Sequence, residues 1–159
     1  MAQAEEWRDI AGTEGVYQVS SLGNVRSWTS VMKGKRLKPI RNGAPGKWRL
    51  AVKITNGEKR KVHALVAEAF IGPRPEGLVV CHNDGNHLNN RADNLRYDTI
   101  SANVRDSVEH GTHNETRKTQ CRAGHPYDEV NTYTRPDGRR LCRACHRERT
   151  RDRRGAPRV

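Results

Sequence analysis

Two close ligand pairs constrain this chain more than any other feature: Cys121-x3-His125 and Cys142-x2-Cys145, separated by sixteen residues. Four soft or borderline donors in that arrangement suit a tetrahedral metal site whose positions are all filled by protein. A closed shell leaves no place for water, so the expected ion is a structural Zn²⁺ that holds the fold and performs no chemistry. His146 is an alternative to Cys145. The x2 pair with Cys142 is the commoner geometry and favours Cys145, leaving His146 on a following basic helix. Between the pairs, Pro136-Asp137-Gly138 marks a turn.

Such a staple matters because apolar material is scarce. Only 33% of the 159 residues are hydrophobic, Phe occurs once, and 30% are charged, so burial alone would leave the chain marginally stable. The length suits one domain or a few small modules. Trp7, Trp28 and Trp48, together with periodic apolar stretches, argue for packed structure against a disordered basic chain. No stretch approaches about 18 apolar residues, and Glu5, Glu6 and Asp9 near the start suit neither a membrane span nor a secretory signal. The expected location is cytoplasmic, where reduced thiols favour metal over disulfides.

Charge points to the partner. The net charge is +12, a field that favours a polyanion because binding releases condensed counterions. Residues 26–61 hold twelve Lys or Arg against the single acid Glu58. Within that segment Trp48, Leu50, Val52 and Ile54 alternate with Lys47, Arg49 and Lys53, and Asn56-Gly57 follows, which predicts an antiparallel hairpin with one packed face and one phosphate-facing face. Lys33, Lys35, Arg36, Lys38 and Arg41 precede it without a neutralising acid and join the expected DNA contacts. Further upstream, Gly12, Gly15 and Gly23 separate short apolar runs, predicting strands joined by tight turns.

After the hairpin, Val62, Leu65, Val66, Ala69 and Phe70 fall at helical spacing, and Gly72-Pro73 ends the run. His63, near the helix start, reads as structural or phosphate-facing. Next, Leu78–Val80 delivers Cys81 and His82 into a polar loop rich in Asn and Asp, Leu95–Tyr97 returns as a second strand, and a helix follows. Ser101 is the expected N-cap of that helix, Val104 and Val108 its buried stripe, and Gly111 its stop. Residues 152–159 are expected to fray.

Three strings carry a family resemblance. "EEWRDIAGTEGVYQVSSLGNVRS", residues 5–27, resembles a small DNA-binding motif attached to phage and intron-encoded nucleases. The order strand, strand, helix, with His82, Asn94 and Asn103 spaced by 12 and 9 positions, resembles the HNH endonuclease fold in its His-Asn-Asn form over residues 62–113. "CRAGHPYDEVNTYTRPDGRRLCRACHRER" looks like the zinc module that follows such domains in phage proteins, and its Arg147 and Arg149 suit DNA backbone contact.

The resemblance implies a role for each residue. His82 becomes the general base, since a neutral imidazole with a pKa near 6.5 can take a proton from attacking water. Asn94 becomes the brace of the loop, and Asn103 a ligand offering a hard oxygen to Mg²⁺ or Mn²⁺. One departure stands out: the residue before the base, normally an acidic or histidine ligand, is Cys81. A thiolate there would shift preference toward softer ions, whereas a neutral buried thiol would only pack, and packing is the favoured reading. Asp106 and His110, at i+3 and i+7 from Asn103, are candidate further ligands or plain surface residues, and Asp84 is another candidate.

The sequence thus predicts an α+β protein of three segments: a β-rich DNA-binding module (1–61), an HNH ββα-metal domain (62–113) and a zinc module (114–159). Its expected activity is metal-dependent hydrolysis of a phosphodiester in double-stranded DNA, nicking when monomeric. No membrane partner or small-molecule cofactor is expected. A catalytically inactive DNA-binding regulator and an RNA-binding protein are the rival readings. Few aromatics are placed for stacking on single strands, which disfavours RNA.

Overall fold

The structure, a computed structural model, describes residues 4–44, 48–54, 57–136 and 139–155. It is an α+β chain that divides into two compact units, one ending at His110 and one beginning at Gly111. No helix among the described residues is long and apolar enough to cross a membrane.

The first unit opens with four short strands, β1 (Trp7–Asp9), β2 (Tyr17–Ser20), β3 (Val25–Ser27) and β4 (Lys35–Arg36), paired antiparallel in sequence order. A second antiparallel sheet follows from β5 (Ile40–Asn42), β6 (Arg49–Lys53) and β7 (Lys59–Lys61). The β6–β7 turn contains Gly57 at φ +75°, a left-handed conformation that suits glycine; the expected partner Asn56 lies outside the described residues. Helix α1 (Val62–Phe70) then leads to the hairpin of β8 (Val79–His82) and β9 (Leu95–Asp98), and helix α2 (Ile100–Glu109) closes the unit.

Helix α1 is the hub. It touches β1, β2, β6, β7, β8 and β9, and Val62, Leu65, Val66 and Ala67 are all 2% exposed or less. They pack with Ile10, Val19, Val25, Val52, Ile54 and Leu95 in one core, so the strands before residue 62 and the hairpin after it bury their apolar sides on the same helix.

The tryptophans pack outside the central core: Trp28 is 49% exposed, and the Arg26 guanidinium lies 4.1 Å from the Trp7 ring and 5.1 Å from that of Trp28. Gln18 Oε1 accepts from both Arg26 Nε and Trp28 Nε1, so this cation–π stack is hydrogen-bonded as well. Strand β6 does not alternate cleanly, because Ala51 is as buried as Val52; a small side chain lets the strand be covered on both faces. Helix α2 begins at Ile100, capped by Thr99, whose side chain accepts from Ala102 N, two residues before the expected Ser101. Its buried residue is Ala102, while Val104 and Val108 are 44% and 46% exposed, so they form no buried stripe. Gly111, at φ +63°, follows the helix end at His110.

In the second unit α3 (Asn114–Arg117) precedes the hairpin of β10 (Thr132–Thr134) and β11 (Arg140–Cys142), and α4 (Arg143–Gly155) follows. Residues 152–155 continue α4, whereas residues 156–159 of the segment expected to fray lie outside the described residues, as do the expected turn residues Asp137 and Gly138.

Two outcomes follow from the core. Leu65→Ala should destabilise the protein by about 2–5 kcal/mol, as large-to-small changes at well-packed sites do; an unchanged midpoint in urea denaturation would show that α1 is not the hub. The buried stripe of α1 also includes His63, whose burial, reinforced by neighbouring His82, Arg49, Lys61 and His87, pushes its pKa down to about 3. An unfolded histidine titrates near 6.5, so the unfolded chain binds this proton first. The neutral ring contributes its full stability above about pH 6.5, and loses it progressively as pH falls toward 3. Thermal melts from pH 7.5 to 4 should show this decline, with a shallower slope for His63→Gln.

Candidate active site and metal cluster

The β8–β9 hairpin pairs Cys81 with Arg96 and His82 with Leu95. Successive residues of a strand face opposite sides, so Cys81 and His82, adjacent in sequence, enter different environments.

His82 is 5% exposed. Its ring meets His63 edge-on at 5.4 Å between centroids and His87 in the same manner at 5.4 Å. Its Nε2 lies 3.1 Å from Asn90 Oδ1. Burial lowers the pKa of His82 below the ordinary histidine value; Arg49 pushes the same way, while Asn90 and Asp84 oppose it. Arg49 also lowers His63 and His87, so its positive charge acts on all three rings. On β6, where strand alternation predicts a phosphate-facing residue, Arg49 is half-buried.

The loop between the strands is tied by asparagines. Asn94 accepts from Asp84 N at 3.1 Å and donates to Asp84 Oδ1 at 2.9 Å and to Asn89 O at 2.9 Å. Asp84 also accepts from Asn86 N and Asn89 Nδ2. Burial works to raise the Asp84 pKa, but these hydrogen bonds outweigh it and hold the carboxyl below its usual value. Asp84 is thus spent on the loop. His110 packs on the same loop: a Cβ at Gly85 would fall 2.6 Å from His110 Nδ1.

On the other face Cys81 is 1% exposed, with Sγ 3.8 Å from Val79 O. Burial pushes its thiol pKa up, against a smaller opposing effect of Arg96. A neutral thiol is a poor ligand for a hard cation. Arg96 fills this face, bonding Asp98 at 3.2 Å, Asn83 Oδ1 at 2.6 Å, and Asp106 on α2. Among the described residues Cys81, Asp106 and His110 belong to no shared cluster of metal-ligating groups. Asn103 and Asp106, both half-buried and one turn apart on α2, offer hard oxygens, although the Asp106 carboxylate is also bonded to Arg96. As a donor set they fit Mg²⁺ or Mn²⁺; Cys81 does not.

Of the basic residues, Lys33, Lys35, Lys38, Arg41 and Lys53 are exposed, as are Arg147 and Arg149 on α4, while Lys47 lies outside the described residues. Arg36 is also exposed, but it is not unneutralised as the sequence suggested: Glu5 Oε2 lies 2.6 Å from its Nη2.

In the second unit, ligand atoms of Cys121, His125, Cys142 and Cys145 all lie within 4.8 Å of one another. His125 Nδ1 is 3.6 Å from Cys121 Sγ, 3.6 Å from Cys142 Sγ and 3.3 Å from Cys145 Sγ. Zn–S bonds of about 2.3 Å give tetrahedral edges near 3.8 Å, so the four atoms are spaced as a tetrahedral ion needs. Asn131 Nδ2 approaches Cys142 Sγ at 3.3 Å, supporting it from outside the cluster.

Sequence reasoning missed two residues beside His82. Asn90 was one of several turn-forming asparagines with nothing to single it out. His63 was legible in principle, since Val66, Ala67 and Phe70 at i+3, i+4 and i+7 put it on the buried face of α1.

Comparison with known proteins agrees with this geometry. Residues 60–105 match the HNH endonuclease family and residues 5–50 the NUMOD4 motif. The chain is 42% identical over 116 residues to the DNA endonuclease I-HmuI of Bacillus phage SP01, covering 72% of this chain and 64% of that protein. An HNH endonuclease of Acanthamoeba polyphaga mimivirus is 34% identical over 125 residues, covering 75% of this chain and 30% of that protein. A second from the same virus is 32% identical over 130 residues, covering 80% and 36%. A solved structure of the HNH homing endonuclease I-HmuI, described for DNA binding and cleavage, superimposes with a TM-score of 0.57 at 41% identity, covering 69% of this chain and 61% of that one. The chain thus spans less than two thirds of the length of each of these relatives. With the HNH match lying on the β8–β9–α2 site and the NUMOD4 match on the strands before it, the chain belongs to the HNH endonuclease family.

Proposed function

We propose that this protein is a metal-dependent HNH endonuclease that hydrolyses a phosphodiester of double-stranded DNA, with His82 as the general base. The observation that carries this reading is the setting of His82: a mostly buried ring at the end of β8, gripped at Nε2 by Asn90, with a pKa lowered by burial. A base must be unprotonated to act, and a depressed pKa keeps this ring neutral at ordinary pH. In the reaction His82 takes a proton from the attacking water, a P–O bond forms to that water, and the bond to the leaving 3′ oxygen breaks. Asn94 keeps the loop in shape through its three bonds. Arg49, whose charge lowers the pKa of all three histidines, would add positive potential where a phosphate approaches. A divalent ion held by Asn103 and Asp106 would polarise the phosphate and stabilise the leaving oxygen.

Affinity would come from backbone contacts. Lys33, Lys35, Arg36, Lys38, Arg41, Lys47 and Lys53 in module 1–61 flank HNH segment 62–113, and Arg147 and Arg149 lie in module 114–159. Lys and Arg contacts to phosphates position a protein on DNA without reading sequence. In the last module a Zn²⁺ at Cys121, His125, Cys142 and Cys145 acts as a staple. A monomer carries one such catalytic site and would nick one strand. I-HmuI is a homing endonuclease by its description, and the same role, or that of a free-standing phage nuclease, is proposed here.

A second reading, a DNA-binding regulator without nuclease activity, is favoured by one observation: the buried, neutral Cys81 in place of a ligand. Supercoiled plasmid separates the two. With Mg²⁺ or Mn²⁺ the first reading predicts nicking, and His82→Ala should slow it by about 10² to 10⁴, the range for a lost general base, with DNA affinity nearly unchanged. Undiminished nicking by that variant would remove His82 from the mechanism. For the staple, a zinc chelator should expose residues 111–155 to protease while 4–110 resists; equal resistance with and without chelator would refute a structural ion.

A further inference from the structure

The strongest unassigned feature is the buried amide against His82. Asn90 is 3% exposed and turns its carbonyl oxygen to His82 Nε2 at 3.1 Å. Its Nδ2 is buried with no hydrogen-bond partner. Among the described residues the contact with His82 is thus the one side-chain hydrogen bond this amide makes. An amide oxygen only accepts, so Nε2 must carry the hydrogen and Nδ1 the basic lone pair. Nδ1 has no partner among the described residues.

The backbone behind Asn90 is seated on the N-terminal strands. A Cβ at Gly23, in the β2–β3 turn, would lie 3.0 Å from Asn90 O and 3.1 Å from Asn90 Cβ. In the same turn Ser21 O accepts from Ala92 N at 2.8 Å. A side chain here would press directly on Asn90, and the φ of +84° also suits glycine. The turn that joins two strands of the NUMOD4 segment is therefore also the back wall of the nuclease loop.

We propose that Asn90 is a positioning residue that fixes His82 as the Nε2–H tautomer with Nδ1 as the proton acceptor, and that the glycine turn at Gly23 holds Asn90 to that task. The tautomer claim concerns the folded protein alone, whereas its consequence for catalysis rests on the endonuclease reading. DNA binding by the N-terminal strands and orientation of the base then share one rigid contact, and the motif is more than a tether for the nuclease.

The test is long-range ¹⁵N–¹H NMR of the histidine rings of the full zinc-loaded chain, above pH 7.5, with plasmid nicking alongside. The wild type should show His82 bare at Nδ1 and protonated at Nε2. Asn90→Asp, which keeps an accepting oxygen, should preserve that signature; Asn90→Ala should give mixed tautomers and lower kcat about 10- to 100-fold, the usual cost of losing an orienting partner, with KM for DNA unchanged. Gly23→Ala should disturb the His82 signal, whereas Gly12→Ala should not: Gly12 has a similar φ of +75° but nothing within 4 Å, so it controls for backbone strain. A protonated Nδ1 in the wild type, an unaltered tautomer in Asn90→Ala, or equal effects of the two glycine variants would overturn the proposal. Absence of nicking in every variant, wild type included, would defeat the endonuclease reading and leave the tautomer result to decide this one.

Discussion

Burial of helix α1 is the constraint on which the first unit depends. Nine residues, Val62–Phe70, serve the strands before them and the hairpin after them. In a chain so poor in apolar residues, one helix used by several strand elements is an economical way to close a core. The same burial has a chemical consequence. His63 rides on the buried stripe, so the wall of the site around His82 is built from the helix that holds the fold together.

Pleating of β8 divides the chemistry. His82 faces a nest of rings and amides with Arg49 nearby, while Cys81 faces Arg96 and the acids it binds. The first environment favours a neutral imidazole and the second a neutral thiol. With Cys81 buried and neutral, the oxygen donors proposed for a hard ion are those of α2, where Asp106 is also bonded to Arg96.

Much of the fold was legible because the signals are local. The 3.6-residue periodicity of Val62, Leu65 and Val66 marked α1, and the order of the His82 and Leu95 strands marked the hairpin. The spacing of Cys121, His125, Cys142 and Cys145 anticipated a cluster whose atoms do converge. What could not be read is non-local. Val104 and Val108 have helical spacing, yet no element among the described residues covers them, and periodicity cannot tell a covered face from an open one. Arg49 has the alternation of a surface residue but is half-buried, and its charge acts on His63, His82 and His87, which lie at distant positions in the sequence. Glu5 neutralises Arg36 across thirty-one positions of sequence, a pairing created by the β1–β4 sheet. Asn90 gains its importance from a partner eight residues away and a glycine turn sixty-seven residues upstream.

The most direct test of His82 as the proton acceptor is chemical rescue. In His82→Gly the ring is removed and its space is left to a diffusible base of the same chemistry. Added imidazole should restore nicking of supercoiled DNA in proportion to its concentration as the neutral form, while leaving the wild-type rate unchanged. A variant that nicks as well as wild type without imidazole, or an active wild type whose variant gains nothing from any imidazole concentration, would contradict the central role given to this residue.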